Sequence, residues 1–272
     1  MLKDITFGQY FPGDSVIHRL DPRMKLILTV LYIALLFVAD GMIPLSLGVL
    51  LVIVAYALSK LSWKLVLRSI KPILPIVIFT AALNIFFIEG EPLFEFKNLV
   101  ISDRGVLTAA LMCVRIVALI AGSSLLTYTT TPIALTDGLE QLMRPLEKIK
   151  VPVHELSMMM TIALRFIPTL IDETEKIISA QKARGADMDS GNAIQKAKAL
   201  VPVLIPLFIS AFRRADDLAL AMECRCYRGG EGRTRLRRLT LSGKDWASLF
   251  VVAAVFAGVI LLNIYGPEVL KL

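Results

Sequence analysis

Between Lys25 and Lys60 the chain runs through 34 residues of which only Asp40 is charged. At 1.5 Å per residue this is about 51 Å of helix, far too long for one crossing of a ~30 Å hydrocarbon layer and slightly short for two. Asp40-Gly41 is a turn dipeptide, so the stretch predicts a tight hairpin of helices over about 24–39 and 41–59. Lys25, Lys60 and Trp63 can sit at the interface and make up the shortfall. Further apolar segments predict spans at 70–88, with Pro72 and Pro75 near its start, at about 106–128, and at 246–265, which begins with Trp246 and ends with Tyr265. Five spans result.

Residues 131–244 follow a different pattern, too charged for lipid and too apolar for disorder. Thr131-Pro132 can cap and open a short helix toward Leu146. A long helix is predicted over 152–184, where Leu156, Met159, Met160, Ala163, Phe166, Ile167, Leu170 and Ile171 recur at helical spacing, with a kink at Pro168. A third is predicted over 192–228. It contains the uncharged twelve-residue run 200–211, with Pro202 and Pro206, which is too short to span and is read as lying against the membrane face or the other spans. Plain core packing accounts for most of both stripes.

The two long helices are predicted to end alike, one in Ala183-Arg184-Gly185 and the other in Tyr227-Arg228-Gly229, each with a proline well upstream. Glycine just past a helix favours a left-handed cap, and arginine in the last turn complements the helix dipole. One such ending needs no further explanation. Two on paired helices suggest guanidinium tips able to form paired hydrogen bonds with a carboxylate on a partner, in two similar grooves.

Composition and charge extend this picture. The chain of 272 residues is 56% hydrophobic with a mean hydropathy of +0.69, yet it carries 30 Lys and Arg against 23 Asp and Glu. A nucleic-acid-binding protein would share the basic balance but not the apolar spans. Four Lys and Arg fall in residues 1–25, four in 59–71 and eighteen in 131–244; the opposite side holds only Lys97, Arg104 and Lys271. The positive-inside rule therefore puts the N-terminus and residues 131–244 in the cytoplasm and the C-terminus outside. The first 20 residues show no signal-peptide pattern. The expected fold is all-α, with about five transmembrane helices and three cytoplasmic ones, two of them long. It divides into a four-span region (1–130), a cytoplasmic helical region (131–244) and a last span with a short outer tail (245–272).

Candidate chemistry is sparse. Cys113, Cys224 and Cys226 lack metal-site spacing, and only His18 and His154 are present. Gly229 to Thr234 is glycine-rich but lacks the lysine and spacing of a phosphate-binding loop, so no nucleotide, metal or catalytic site is expected in this chain. A lipid-acting membrane enzyme would need a polar catalytic cluster near a membrane face. A secondary transporter would show repeated halves of spans, whereas the duplication here is in the cytoplasmic helices. Arg115 lies within a span, where a cation costs about 2.5–3.5 kcal/mol on insertion scales. It reads either as functional or as pairing with Asn84 or a helix carbonyl.

These residues carry a resemblance. His18 to Leu26 contains Leu20-Asp21-Pro22-Arg23-x-Lys25-Leu26, which looks like the Leu-Asp-Pro-Arg-x-Lys-Leu signature of the transmembrane (T) component of energy-coupling factor transporters, a group that includes the Q-type membrane subunit of cobalt uptake systems. Ala163 to Pro168 and Ala183-Arg184-Gly185 are similar to the same family. Tyr227-Arg228-Gly229 has Tyr where Ala is common but keeps Arg-Gly. The resemblance implies a multi-pass cell-membrane protein whose coupling helices bind two ABC-type ATPase subunits (EcfA- and EcfA′-like), with Arg184 and Arg228 as docking residues. ATP and Mg would bind those partners, and this chain would hold no cofactor. It further implies a separate substrate-binding S component for vitamin or metal-ion uptake, and an interface role for the N-terminal signature.

Overall fold

The computed structural model describes residues 10–88, 92–96, 99–186, 192–230 and 239–265. Contacts divide the chain into two units, one of residues 8–139 and 238–272, the other containing residues 140–237.

The first unit is a bundle of apolar helices. Helix α1 (Pro22–Val38) starts at Asp21, whose side chain accepts a hydrogen bond from the Arg23 backbone, with Pro22 in the first helical position. Gly41 turns the chain at φ +92° into α2 (Met42–Ser59), so the hairpin expected at Asp40-Gly41 forms. The two carbonyls at the end of α1 have no partner in their own helix, and side chains from elsewhere supply one. Arg115 Nη2 donates to the Ala39 carbonyl (2.5 Å) and Asn263 Nδ2 to that of Val38 (2.5 Å). Of the readings open for Arg115, the geometry favours a helix carbonyl; Asn84 instead donates to the Thr80 carbonyl.

The third apolar rod differs from the sequence expectation. It starts at Trp63, not at residue 70: α3 (Trp63–Ile70) is capped by Ser62, Lys71–Ile73 form a 3-10 turn, and α4 (Leu74–Phe87) completes 25 residues. Pro72 and Pro75 lack the amide hydrogens a regular ladder needs, so they tighten the rod without ending it. A small antiparallel hairpin, β1 (Pro92–Phe96) with β2 (Leu99–Ser102), leads to α5 (Asp103–Thr129). Helix α9 (Gly243–Tyr265) closes the unit. Among the described residues α2, α3 with α4, α5 and α9 are long and apolar enough to cross a membrane. With 17 residues, α1 lies at the short end of the spanning range.

The core gathers where α1, α2, α5 and α9 meet. Leu35, Leu36, Tyr32, Tyr56 and Val259 are buried there. Tyr32 lies over Gly122 so closely that a Cβ at 122 would be 2.2 Å from its ring. The two tyrosines satisfy their hydroxyls on carbonyls of α5, Tyr32 on Ala118 (3.2 Å) and Tyr56 on Ala121 (3.0 Å). Outward faces are apolar, with Phe87 78% and Tyr265 81% exposed, as suits helices solvated by lipid.

Helix α6 (Pro132–Met143) carries the chain from the first unit into the second, which continues through a 3-10 segment (Arg144–Ile149) to α7 (Val153–Ala183) and α8 (Ala193–Cys224). The last two pair antiparallel. Gln181 Nε2 donates to the Pro202 carbonyl (3.3 Å), and Arg214 Nη2 and Ser210 Oγ both donate to Glu173. Gly230, past the end of α8, lies against the ring of His154 at the start of α7.

Candidate functional site

The two long helices end in the same backbone motif. In α7 the Gly185 amide donates to the Lys182 carbonyl (3.0 Å) and the Ala186 amide to that of Gln181 (3.0 Å), with Gly185 at φ +87°. In α8 the Cys226 amide donates to the Glu223 carbonyl (2.8 Å) and the Tyr227 amide to that of Met222 (3.0 Å), with Cys226 at φ +56°. Both are Schellman caps. They fix a correspondence that differs from the one expected. Arg184 is the capping residue of α7, and its counterpart on α8 is Arg225.

Arg228 therefore does not sit at a helix tip. Helix α8 stops at Cys224, four residues before the expected end, and Arg228-Gly229 belongs to the segment that folds back toward α7, with Gly229 at φ +85°. The signal was hard to read because cysteine occupies the left-handed position that glycine usually fills, while the visible Arg-Gly pair lies three residues on. Ala183, Arg184, Gly185, Arg225 and Arg228 are exposed, and Tyr227 and Gly229 are half-buried. Among the described residues the three guanidinium groups form no hydrogen bond or ion pair.

The spacing of the tips follows from the antiparallel register. The contacts between Gln181 and Pro202, and between Glu173 and Ser210, place Arg225 beside the first two turns of α7. About 25 residues of helix, roughly 37 Å, then separate the two capping arginines. Glu173 stabilises the pairing between them. The Ser210 hydroxyl first, and then Arg214, hold its carboxyl below the usual range against the smaller opposing effect of burial.

The N-terminal signature is a buried junction. Asp21 receives two bonds from Arg23, from Nε (3.0 Å) and Nη2 (2.9 Å), while its own amide donates to Asp245 Oδ1 (2.8 Å). Arg23 Nη2 also donates to the Leu239 carbonyl (3.1 Å), and Asp245 Oδ2 accepts from the Ser242 amide (2.7 Å). Lys25 Nζ donates to the carbonyls of His18 (3.1 Å) and Thr129 (2.8 Å). Leu20 is buried and Leu26 half-buried beside them. Burial alone would raise the Asp21 carboxyl, but the hydrogen bonds and charge of Arg23 outweigh it and hold the group below the ordinary carboxylate range. The signature thus joins the start of α1 to the end of α5 and the start of α9, and every charge in it is spent on a neighbour. Asp245, Leu239 and Thr129 lie more than 100 residues away along the chain, so local sequence carries no sign of them.

Two further polar clusters lie outside this junction. Ser157 Oγ and His154 Nδ1 (3.3 Å) both bond Glu140, with no Ser–His contact of the kind a nucleophile needs. His18 Nε2 donates to the Phe11 carbonyl (3.1 Å), so its Nδ1 accepts from Ser15 Oγ (2.7 Å). Burial favours this neutral ring and lowers its pKa, with the Phe11 carbonyl opposing. Among the described residues no three His, Cys, Asp or Glu side chains gather as a metal site.

The family described as cobalt transport protein, CbiQ, matches residues 13–236. The chain is similar to the energy-coupling factor transporter transmembrane protein EcfT of Clostridium kluyveri, with 56% identity over 258 residues, covering 94% of this chain and 96% of that one. The protein of the same description from Thermosediminibacter oceani is 50% identical over 260 residues (96% and 98%), and that from Bacillus subtilis 46% over 259 (94% and 98%). A family match over most of the chain and relatives at about 50% identity along nearly its whole length together show that the chain belongs to the CbiQ family, as the transmembrane component of an energy-coupling factor transporter.

Proposed function

We propose that this chain passes the motion of two separate ATPase subunits to a substrate-capture subunit that takes up a vitamin or a metal ion. The observation that carries the reading is the pair of Schellman-capped helices, each presenting an exposed arginine with no partner of its own among the described residues. Tips roughly 37 Å apart are too distant for one groove and suit two. A guanidinium at a helix end offers a planar fork to a carboxylate. Arg184 and Arg225 are the docking residues on this reading, and Arg228 lies close enough to Arg225 to extend the second contact. ATP and Mg bind the partners.

The capture subunit is itself a membrane protein on this reading, so it needs an apolar face to meet. Helix α8 offers one, with Val201, Leu204, Ile205, Phe208, Ile209 and Phe212 all exposed at helical spacing. The charge bias supports a reading with α7 and α8 in the cytoplasm, the N-terminus inside and the C-terminus outside.

Co-expression with the ATPase subunits tests the reading. Arg184→Glu and Arg225→Glu should each lower ATPase recruitment at least tenfold, since a charge-assisted hydrogen bond contributes about 1.5–3 kcal/mol. Arg228→Glu should have a smaller effect. Recruitment unchanged in all three variants, with normal membrane insertion, refutes docking at these tips.

A further inference from the structure

The first unit contains a cavity of about 530 Å³ bounded by α1, α2, α5 and α9. Leu28, Leu51, Ala55, Leu125, Val251 and Val255 form its walls. The polar side chains around it are turned away onto their own helices. Thr29 donates to the Lys25 carbonyl, Thr129 to that of Leu125 and Ser248 to that of Asp245, each at 2.8 Å. Tyr32 is bonded to Ala118, and the Lys25 ammonium to two carbonyls. What the cavity presents is therefore hydrocarbon, with one exception. Lys244, in the first turn of α9, is exposed at its edge and forms no ion pair among the described residues.

The depth of the cavity is informative. Along α2 it runs from Leu47 to Leu58, and along α9 from Lys244 to Val255. Eleven residues of helix rise about 16 Å, close to half of a ~30 Å hydrocarbon core. The lining comes mostly from the first half of α1 and α9, the last two-thirds of α2 and the last third of α5, which all lie toward one membrane face. It is one leaflet deep, with an ammonium at headgroup level.

We infer that this cavity holds one acyl chain of an anionic phospholipid, whose phosphate pairs with Lys244. On the orientation proposed above the lipid belongs to the cytoplasmic leaflet. The site is independent of ATPase docking, so failure of either reading leaves the other standing.

Native mass spectrometry of the full-length chain in detergent, titrated with phosphatidylglycerol and with phosphatidylcholine of identical chains, tests it. The anionic lipid should bind about fivefold more tightly, the effect of one lysine near an anionic headgroup. Lys244→Glu, an exposed change that leaves the bundle intact, should abolish that preference. Ala55→Phe, which fills the cavity, should weaken both lipids. A photoreactive residue at position 51 should label lipid in native membranes. Equal binding of the two lipids by the unsubstituted chain, an unchanged preference in Lys244→Glu, or labelling of a polypeptide instead of lipid would each overturn the assignment.

Discussion

Replacing Asp21 by Asn is the sharpest test of the junction at the start of α1. The asparagine oxygen can still accept from the Arg23 amide, so the helix cap survives. The bond from Arg23 Nε to the same oxygen persists but loses its charged acceptor, while the bond from Nη2 is lost and an amide donor now faces it. The Asp21 side chain is 2% exposed and that of Arg23 21%, so the pair is neither fully buried nor a surface bridge. Its loss should cost about 2–3 kcal/mol, softened because Arg23 keeps its bond to Leu239. Asp21→Ala should cost about 1 kcal/mol more, through the lost cap. At about 2–4 °C per kcal/mol, the thermal midpoint of the detergent-solubilised Asn variant should fall roughly 5–10 °C at pH 7. Because the carboxyl of the folded protein is held below its unfolded value of about 3.9, its contribution is complete above that pH. It is lost as pH drops through the folded value, so the gap between parent and Asn variant should close below about pH 4. Equal midpoints at pH 7, or a gap that persists at acid pH, would refute this account.

Other outcomes follow from single contacts. Gly122→Ala should destabilise the bundle by about 1–3 kcal/mol, because its Cβ would fall inside the Tyr32 ring; adding Tyr32→Leu should recover part of the loss, read by thermal melting. Cys226→Gly should stabilise the end of α8 by up to about 1 kcal/mol, visible as slower amide exchange at Cys226 and Tyr227, since glycine relieves a left-handed residue. Glu173→Gln should cost less than about 1 kcal/mol, as the pair with Arg214 is partly solvated. The carboxyl is lowered in the folded state, so that contribution is present above the unfolded glutamate value near pH 4.3 and disappears on acidification below it.

Much of the architecture was legible because lipid leaves little choice. An apolar run must become a helix to satisfy its own backbone, so the hairpin at Asp40-Gly41, the rods near 106–128 and 246–265, and the two long amphipathic helices could be read directly from pattern. The rod at Trp63 starts seven residues before the position the apolar pattern predicts, because α3 is amphipathic and its charges mask a helix that continues through two prolines. The hairpin of β1 and β2 had no alternating signal strong enough to identify.

The family signature was equally visible as a string of residues, but what it does was not. Asp21, Arg23 and Lys25 find Asp245, Leu239 and Thr129 only when helices distant in sequence come together. Likewise, periodicity ends a helix to within a few residues, and only the carbonyls to which the Cys226 and Tyr227 amides donate show that Arg225, not Arg228, is the counterpart of Arg184. Hydrophobic pattern and charge bias, properties of the chain in one dimension, determined that this is a multi-helix membrane protein. Which groups pair, cap and line a cavity is a matter of distances in three dimensions, and tertiary packing alone decided those.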